Sequence, residues 1–424
     1  MPALVYAIDF GTSNSLLAAA DPERLHEPLA LDPDAADPTV MKSLLYTPSD
    51  GAWFFGAKAI EEYTEHGAEG RFFRSLKKYL PDPAFSGTTV HKRYYNLTEL
   101  IAVILRAMRE RANAAFGEDV TSVVLGRPAR FAFDEEGDKL ATARLEAAAK
   151  LAGFKEVSFC PEPVAAAYEF RHQLSEPRTV LIADFGGGTS DFSVLELGRE
   201  RFTDRDVLAI GGVSIAGDRF DGALMKHAVA PHFGTDVTYK LPMGSNELRL
   251  PQHLINKLCS PADVSFLSRR DMMTLLKDAQ RWSLRPGDAE RMNRLFVLIE
   301  EHLGYKLFKS IEATKIALSD ASEACFSFAH PGIEVEEQVR RADFTTYTSE
   351  LVDSITKELD ETLRKAQVAA DKVDIVCCTG GTAKIPALSH ALERRFGKEK
   401  LRQHRHFHSV VGGLAERAQA LLTT

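Results

Sequence analysis

The sequence predicts an α/β protein built from two related halves, and three observations carry that reading. An apolar run ending in Asp-Phe-Gly, followed by small hydroxyl residues, occurs from Leu4 to Ser15. The same cassette returns from Thr179 to Ser193. Each copy is then followed by mixed strand and helix signals. Two phosphate-sized glycine loops in one chain suggest a single nucleotide held between the halves.

The first copy, LVYAIDFGTSNS, reads as a strand closed by Asp9, a turn of Gly11, Thr12, Ser13 and Asn14, and a returning strand. A strand is expected from Thr121 to Leu125, then the turn Gly126-Arg127-Pro128 and a helix around Asp138 to Ala152 that stops at Gly153. A short strand, Glu156 to Cys160, leads into Pro161-Glu162-Pro163 and an Ala-rich helix, Val164 to Phe170, which places Glu162 at the helix mouth. The second copy, TVLIADFGGGTSDFSVLEL, repeats the hairpin with Asp184, Gly186, Gly187, Gly188, Thr189 and Asp191. A long segment from Asp221 to Leu307, with several helical stretches and turns such as Arg285-Pro286-Gly287, reads as an inserted subdomain. DIVCCTGGTAKIPAL then gives a strand, a turn at Gly380 and Gly381 and a helix from about Pro386. A final helix is expected from Gly413 to Leu422.

In both hairpin turns glycine lets backbone N–H groups approach anionic oxygens, and the hydroxyls add donors. A carboxylate at the strand end repels phosphate unless a hydrated Mg²⁺ lies between them, which is the role expected of Asp9 and Asp184. The alternative for both is a strand-end turn former. Asp-Phe-Gly is also the metal motif of protein kinases, but there is no Val-Ala-Ile-Lys strand and no His-Arg-Asp loop. The Walker A pattern is missing as well.

Composition sets the wider bounds. The chain has 424 residues, 45% of them hydrophobic and 26% charged, with a net charge of -8. This is ordinary globular composition with material for about two to three domains. The charge gives no reason to expect nucleic-acid binding. No apolar segment is long enough to span a membrane and no basic stretch precedes an apolar signal core, so a cytoplasmic protein is expected. Five scattered cysteines without metal-ligand spacing read as reduced, mostly buried thiols. Period two along a strand would point Cys377 and Cys378 apart, and would align His404, His406 and His408 on one face. That histidine face reads as a metal-compatible geometry or, without a carboxylate or thiol partner, as a solvated strand face.

With both hairpins, the Pro-Glu-Pro helix start and the late Gly-Gly turn in this order, the chain resembles the actin-like ATPase superfamily. More closely it resembles the nucleotide-binding domain of the heat-shock 70-kDa chaperones, in a short YegD-like branch. YAIDFGTSNS and LIADFGGGTSDFSV resemble the two phosphate motifs, CPEPVAAAYEF the connecting helix and TGGTAKIPAL the adenosine motif. RSLKKYL and SIEATKIALSD are similar to the segments of the catalytic lysine and of the helix that grips ribose and adenine.

The resemblance implies an actin-like ATPase fold of two lobes, each with a ribonuclease H-like core, and a nucleotide cleft between them. Lobe I would comprise residues 1–178, with an insertion of about 36–97 and the C-terminal helix 404–424 returning to it; lobe II would comprise 179–403, with an insertion of about 222–344. It implies slow Mg²⁺-dependent ATP hydrolysis with ATP and ADP as ligands, and a nucleotide-gated conformational switch that acts on a partner protein through the lobe II insertion. Lys77, Glu162, Asp191 and Thr189 would be catalytic. Gly11, Thr12, Ser13, Asn14, Gly186, Gly187, Gly188 and Thr189 would cradle phosphate. Glu312, Lys315, Ile316, Ser319, Gly380, Gly381, Thr382 and Lys384 would hold the adenosine. For Lys77, beside Lys78 and Arg74, the alternative is a solvated basic helix face, and for Glu162 a simple helix N-terminal acid.

Departures from the family pattern accompany the resemblance. Ile316 stands where the adenine-stacking arginine is expected, Lys384 replaces a second arginine, and HFHSVVGGLA lacks the acidic residue of the last motif. Ile316 covers a base face without a cation–π contribution of about 1 kcal/mol. The chain stops at Thr424 without the apolar linker and β-rich peptide-binding domain of the chaperones, so binding of clients in a standard peptide cleft is not expected. Two other readings from the same residues are a non-hydrolysing nucleotide-bound interaction module and a small-molecule kinase.

Overall fold

Alternating apolar residues build two sheets of one topology, described by a computed structural model of residues 4–422 apart from 68, 133, 199–205, 243, 245 and 404–407. In the first sheet Val5–Phe10 pairs antiparallel with Asn14–Ala20, which pairs antiparallel with Leu25–His26 and with Met41–Lys42. On its other side Val5–Phe10 pairs parallel with Ser122–Arg127, and that strand pairs parallel with Glu156–Pro161. The second sheet repeats the order. Arg178–Phe185 pairs antiparallel with Ser190–Leu197, which pairs antiparallel with Val207–Val213. It also pairs parallel with Ile375–Thr379, which pairs parallel with Leu401–Gln403. Each sheet is thus an antiparallel meander continued by two parallel strands, the ribonuclease H-like core expected for each half.

The two-residue period of a strand sends neighbouring side chains into different cores. Tyr6, Ile8 and Phe10 join a core under the helices Leu97–Phe116 and Glu135–Leu151, whereas Val5 and Ala7 point the other way. In the second half Leu181, Ala183 and Phe185 enter one core while Val180 and Ile182 meet Val5 and Ala7 in a core common to both sheets. Cys377 and Cys378 obey the same rule, the first in the shared core and the second in that of the second half. Cys325 differs from the expectation of buried thiols, being exposed.

The shared core is filled by two helices, Glu162–Phe170 and His408–Leu422. Their approach is close: a Cβ on Gly413 would lie 1.7 Å from the Ala165 carbonyl oxygen. The last helix starts at His408, five residues before the expected start. Gly413 is inside the helix for packing, not at its end as a punctuation mark. His408 begins that helix and its Nε2 lies 2.7 Å from Thr39 Oγ1, while His404 and His406 lie outside the described residues.

Other boundaries follow local chemistry. Leu97–Phe116 opens with a capping box between Asn96 and Glu99 and closes at Gly117 with φ 69°. Asp134 caps Glu135–Leu151 through the Gly137 N–H, three residues ahead of the expected start. Two excursions rise beside the sheets. One contains Leu44–Thr47, the helix Gly56–Glu65, Arg71–Arg74 and the hairpin Gly87–Val90 with Arg93–Asn96. The other contains the helices Gln252–Leu258, Arg270–Arg281 and Asp288–Glu300 and leads into the long helix Gly304–Asp320. Among the described residues no helix is long and apolar enough to cross a membrane.

Candidate nucleotide site

The two glycine turns meet face to face. A Cβ on Gly187 would lie 2.4 Å from Ser13 Oγ, and one on Gly188 would lie 2.7 Å from Thr12 Oγ1. Only glycine permits this interleaving of the second loop with the first. Each turn is closed by its own hydrogen bond, Gly11 N–H to Asn14 carbonyl (2.9 Å) and Gly186 N–H to Thr189 carbonyl (3.0 Å). Neighbouring segments brace both turns. Ser43 Oγ donates to the Gly11 carbonyl at 2.8 Å, Asp218 N–H to Gly187 carbonyl at 2.8 Å, and Thr382 Oγ1 to Gly186 carbonyl at 3.0 Å.

These turns line a cavity of about 340 Å³ between the two halves. Its wall includes Asp9, Gly11, Thr12, Ser13 and Asn14 from the first hairpin and Asp184, Gly186, Gly187, Gly188 and Thr189 from the second. Lys77 and Glu162 form part of the floor, and Glu312, Lys315, Ile316, Gly380, Gly381 and Thr382 line the remaining side. Gly380 has φ 82°, and a Cβ there would lie 2.1 Å from the Phe185 carbonyl oxygen, so both backbone and space require glycine. Three expected residues are placed elsewhere. Asp191 is buried behind Thr189, where it accepts from the Ala129 N–H at 2.8 Å. Ser319 lies one turn beyond Lys315, bonded to its carbonyl at 3.5 Å, and Lys384 is exposed outside the cavity wall.

Lys77 is buried, which excludes the solvated basic face; it lies in the short 3₁₀ turn Leu76–Tyr79 and its Nζ meets Glu162 Oε1 at 2.6 Å. The preceding Ser75 adopts φ 55°, a left-handed conformation that turns the chain. Ser75 Oγ also lies 3.3 Å from Asp218 Oδ2. Four carboxylates, Asp9, Asp184, Asp191 and Glu162, share this one ammonium. Burial and then the charge of Glu162 push Asp9 well above the usual carboxylate range, with Lys77 opposing. Burial and Glu162 raise Asp184 to about 6, against the hydrogen bond from Thr379 Oγ1 at 2.7 Å. Asp191 is likewise raised well above its usual range by burial and then Glu162. For Lys77, burial works against the charge, but Glu162, Asp9 and Asp191 outweigh it and raise the pKa.

That surplus of buried acid, beside a glycine cradle, fits a ligand that brings a cation together with phosphates. Asn14 Oδ1 is buried without a hydrogen-bond partner among the described residues, a free acceptor in the same wall. Among the described residues no group of three or more His, Cys, Asp and Glu side chains could hold a metal directly. Asp9 and Asp184, one at the end of each hairpin strand in the same wall, fit a cation held through its own waters.

Several wall residues carried no sequence signal of their own. Asp221 forms a buried ion pair with Lys315, Nζ to Oδ1 at 2.8 Å. Lys42, Arg74 and Lys309 add positive charge to the wall, and burial, followed by repulsion from Lys309 and Arg74, pulls Lys42 down despite Glu312. The partner of Asp221 is distant in sequence, so only the ion pair in space reveals it.

The sequence matches the family described as Hsp70 protein over residues 77–250 and 298–423, well over half of the chain. It is also 26% identical over 419 residues to the chaperone protein HscA homolog of Verminephrobacter eiseniae (strain EF01-2), covering 94% of this chain and 55% of that protein. The chain thus spans about half the length of this curated relative. With its two ribonuclease H-like cores and the phosphate-sized cleft between them, the chain belongs to the Hsp70 protein family, whose members are ATP-binding, chaperone-related proteins of the actin-like fold.

Proposed function

We propose that the chain binds Mg²⁺-ATP in this cleft, hydrolyses it slowly, and uses movement of its two lobes as a switch for a partner protein that docks on the 222–344 insertion. The observation that carries the reading is the Lys77–Glu162 pair, buried at 2.6 Å beside two interleaved glycine loops. Phosphoryl transfer needs positioning and charge neutralisation more than covalent chemistry from the protein. The divalent cation supplies charge neutralisation at the phosphates when bound. Asp9 and Asp184 would hold it through its waters. Thr12, Ser13, Gly186, Gly187, Gly188 and Thr189 would fix the phosphates, and Lys77 would meet negative charge developing on the terminal group. Glu162 holds Lys77 in place and would orient the attacking water. Asp191, behind Thr189, would set the direction of that hydroxyl. Lys315 and Glu312 would bind the ribose.

Single-turnover hydrolysis of ATP with Mg²⁺, at matched occupancy, tests the reading with Lys77→Ala. Loss of about 10²–10³-fold in rate with binding retained is expected, the scale on which removal of one preorganised donor acts. An unchanged rate overturns the lysine's role. A second reading, nucleotide held without hydrolysis, is favoured by the base-side wall, where Ile316 is 57% exposed and Lys384 stands away from the cavity. Tight binding with no turnover in the wild type would select it.

A further inference from the structure

We propose that the chain carries a second ligand site for a small aromatic acid, in a cavity between the rims of the two lobes, with Arg71 and Arg269 at its anion-binding end. The cavity measures about 230 Å³. Phe72, Tyr79 and Phe85 of the first excursion and Phe266, Ile299 and Tyr305 of the second line it, with Phe72 meeting Tyr305 at 4.9 Å and Phe85 meeting Phe266 at 6.0 Å between ring centres. Arg74 and Tyr305 also line the nucleotide cleft, so they form the partition between the two spaces.

The charge in this aromatic chamber is one-sided. Arg71 donates to the Thr89 carbonyl (2.9 Å) and to Thr88 Oγ1 (3.0 Å), and its guanidinium lies 5.4 Å from the Phe73 ring centre. Arg269 lies 5.0 Å from the Phe266 ring centre. Among the described residues neither guanidinium has a carboxylate within ion-pair distance, unlike Arg127 with Asp138 or Arg291 with Asp236. The two feel each other: burial and then Arg269 lower the pKa of Arg71, and burial and then Arg71 lower that of His302. Two uncompensated guanidiniums ask for an acid group that accepts several N–H bonds. The surrounding rings ask for a planar apolar body that stacks or meets them edge-on. The volume lies below the range of drug-sized pockets, which limits the ligand to about one or two fused rings. Because the walls come from both lobes, occupancy of this site and closure of the lobes favour one another.

Titration with 1-naphthoate, followed by its fluorescence, tests the site in the full chain, first without nucleotide and then with saturating ATP. Saturable one-to-one binding in at least one condition is expected. Neutral 1-naphthol should bind about tenfold more weakly or worse, and Arg71→Ala and Arg269→Ala should each weaken naphthoate by about tenfold or more, the scale of a lost charged hydrogen bond. Arg269 is exposed, so its substitution leaves the fold intact, which an unchanged circular dichroism spectrum verifies. Ser265→Trp, which fills the cavity from an exposed position, should also abolish binding. The proposal is overturned if naphthoate binds in neither condition, if both arginine variants bind it as the wild type does, or if naphthol binds equally well.

Discussion

Asp221 shows how burial, not contact, decides the charge of a residue in the cleft wall. It lies 2.8 Å from Lys315, yet burial outweighs that ammonium and raises its carboxyl to about 6. An unfolded aspartate titrates near 3.9. The folded state therefore binds this proton more tightly than the unfolded one, so the associated stability is complete below about pH 4 and is lost as pH rises through about 6. Asparagine has no such dependence. Relative to the wild type, Asp221→Asn should become more stable by about 2 kcal/mol on going from pH 4.5 to 7.5, measured by urea unfolding without nucleotide. A wild-type-to-variant difference that stays constant between these two pH values contradicts the raised carboxyl. Lys77 and Lys78 make the complementary point. Adjacent and chemically identical, one is buried against Glu162 and the other, half exposed, reaches the partly buried Asp263 at 2.7 Å.

Elements as units were legible where chemistry repeats along the chain. Two apolar runs, each ending in a carboxylate and glycines, announce two hairpins, and the structure gives both the same strand order. What local sequence does not contain is the relation between elements: that Gly187 faces Ser13 and Gly188 faces Thr12, or that Gly413 is pressed on Ala165. The same limit hid Asp218 and Asp221, whose partners lie far away in the chain, and the placing of Asp191 behind Thr189. It also made Lys77 ambiguous, since the turn at Ser75 that sends it inward depends on a left-handed backbone no glycine marks. The loop contact has a direct consequence. Gly188→Ala puts a Cβ 2.7 Å from Thr12 Oγ1, so the Thr12 side chain must turn away and the hydroxyl it offers between the two turns is displaced. ATP affinity should fall by about tenfold, and overpacking that the turn does not relieve, ~1–3 kcal/mol, should show as a lower melting temperature without nucleotide. Isothermal titration together with thermal unfolding separates the two effects. Full affinity in the variant means that the displaced Thr12 hydroxyl does not contribute to binding.

At the scale of the whole molecule the two halves share an apolar floor and are also joined across the top of the cleft. Below, Val5, Ala7, Val180 and Ile182 lie in one core with the helices Glu162–Phe170 and His408–Leu422. Above, Tyr79 donates through its hydroxyl to Asp263 Oδ1 at 2.5 Å and lies 3.1 Å from the Ala262 carbonyl, while Lys78 Nζ meets Asp263 Oδ2 at 2.7 Å. The floor is held by buried side chains of both sheets, whereas the top is joined by these polar contacts together with ring contacts such as Phe72 with Tyr305 and Tyr79 with Phe266, so opening at the rim requires parting both. Asp263 is the common acceptor of both polar contacts, and Lys78 holds its pKa low although burial pushes it up. Asp263→Asn keeps the shape and removes the charge. An exposed ion pair contributes about 0.2–1 kcal/mol and a hydrogen bond to a charged group about 1.5–3, so ADP release should speed up by roughly tenfold to a hundredfold. Chasing a fluorescent ADP analogue in a stopped-flow instrument measures that rate directly. Raising the salt concentration should accelerate release in the wild type and leave the variant nearly unaffected, because screening acts on the pair that the substitution has already removed. An unaltered release rate in the variant would place the barrier to opening in the shared floor, and the rim contacts would then follow lobe movement without controlling it.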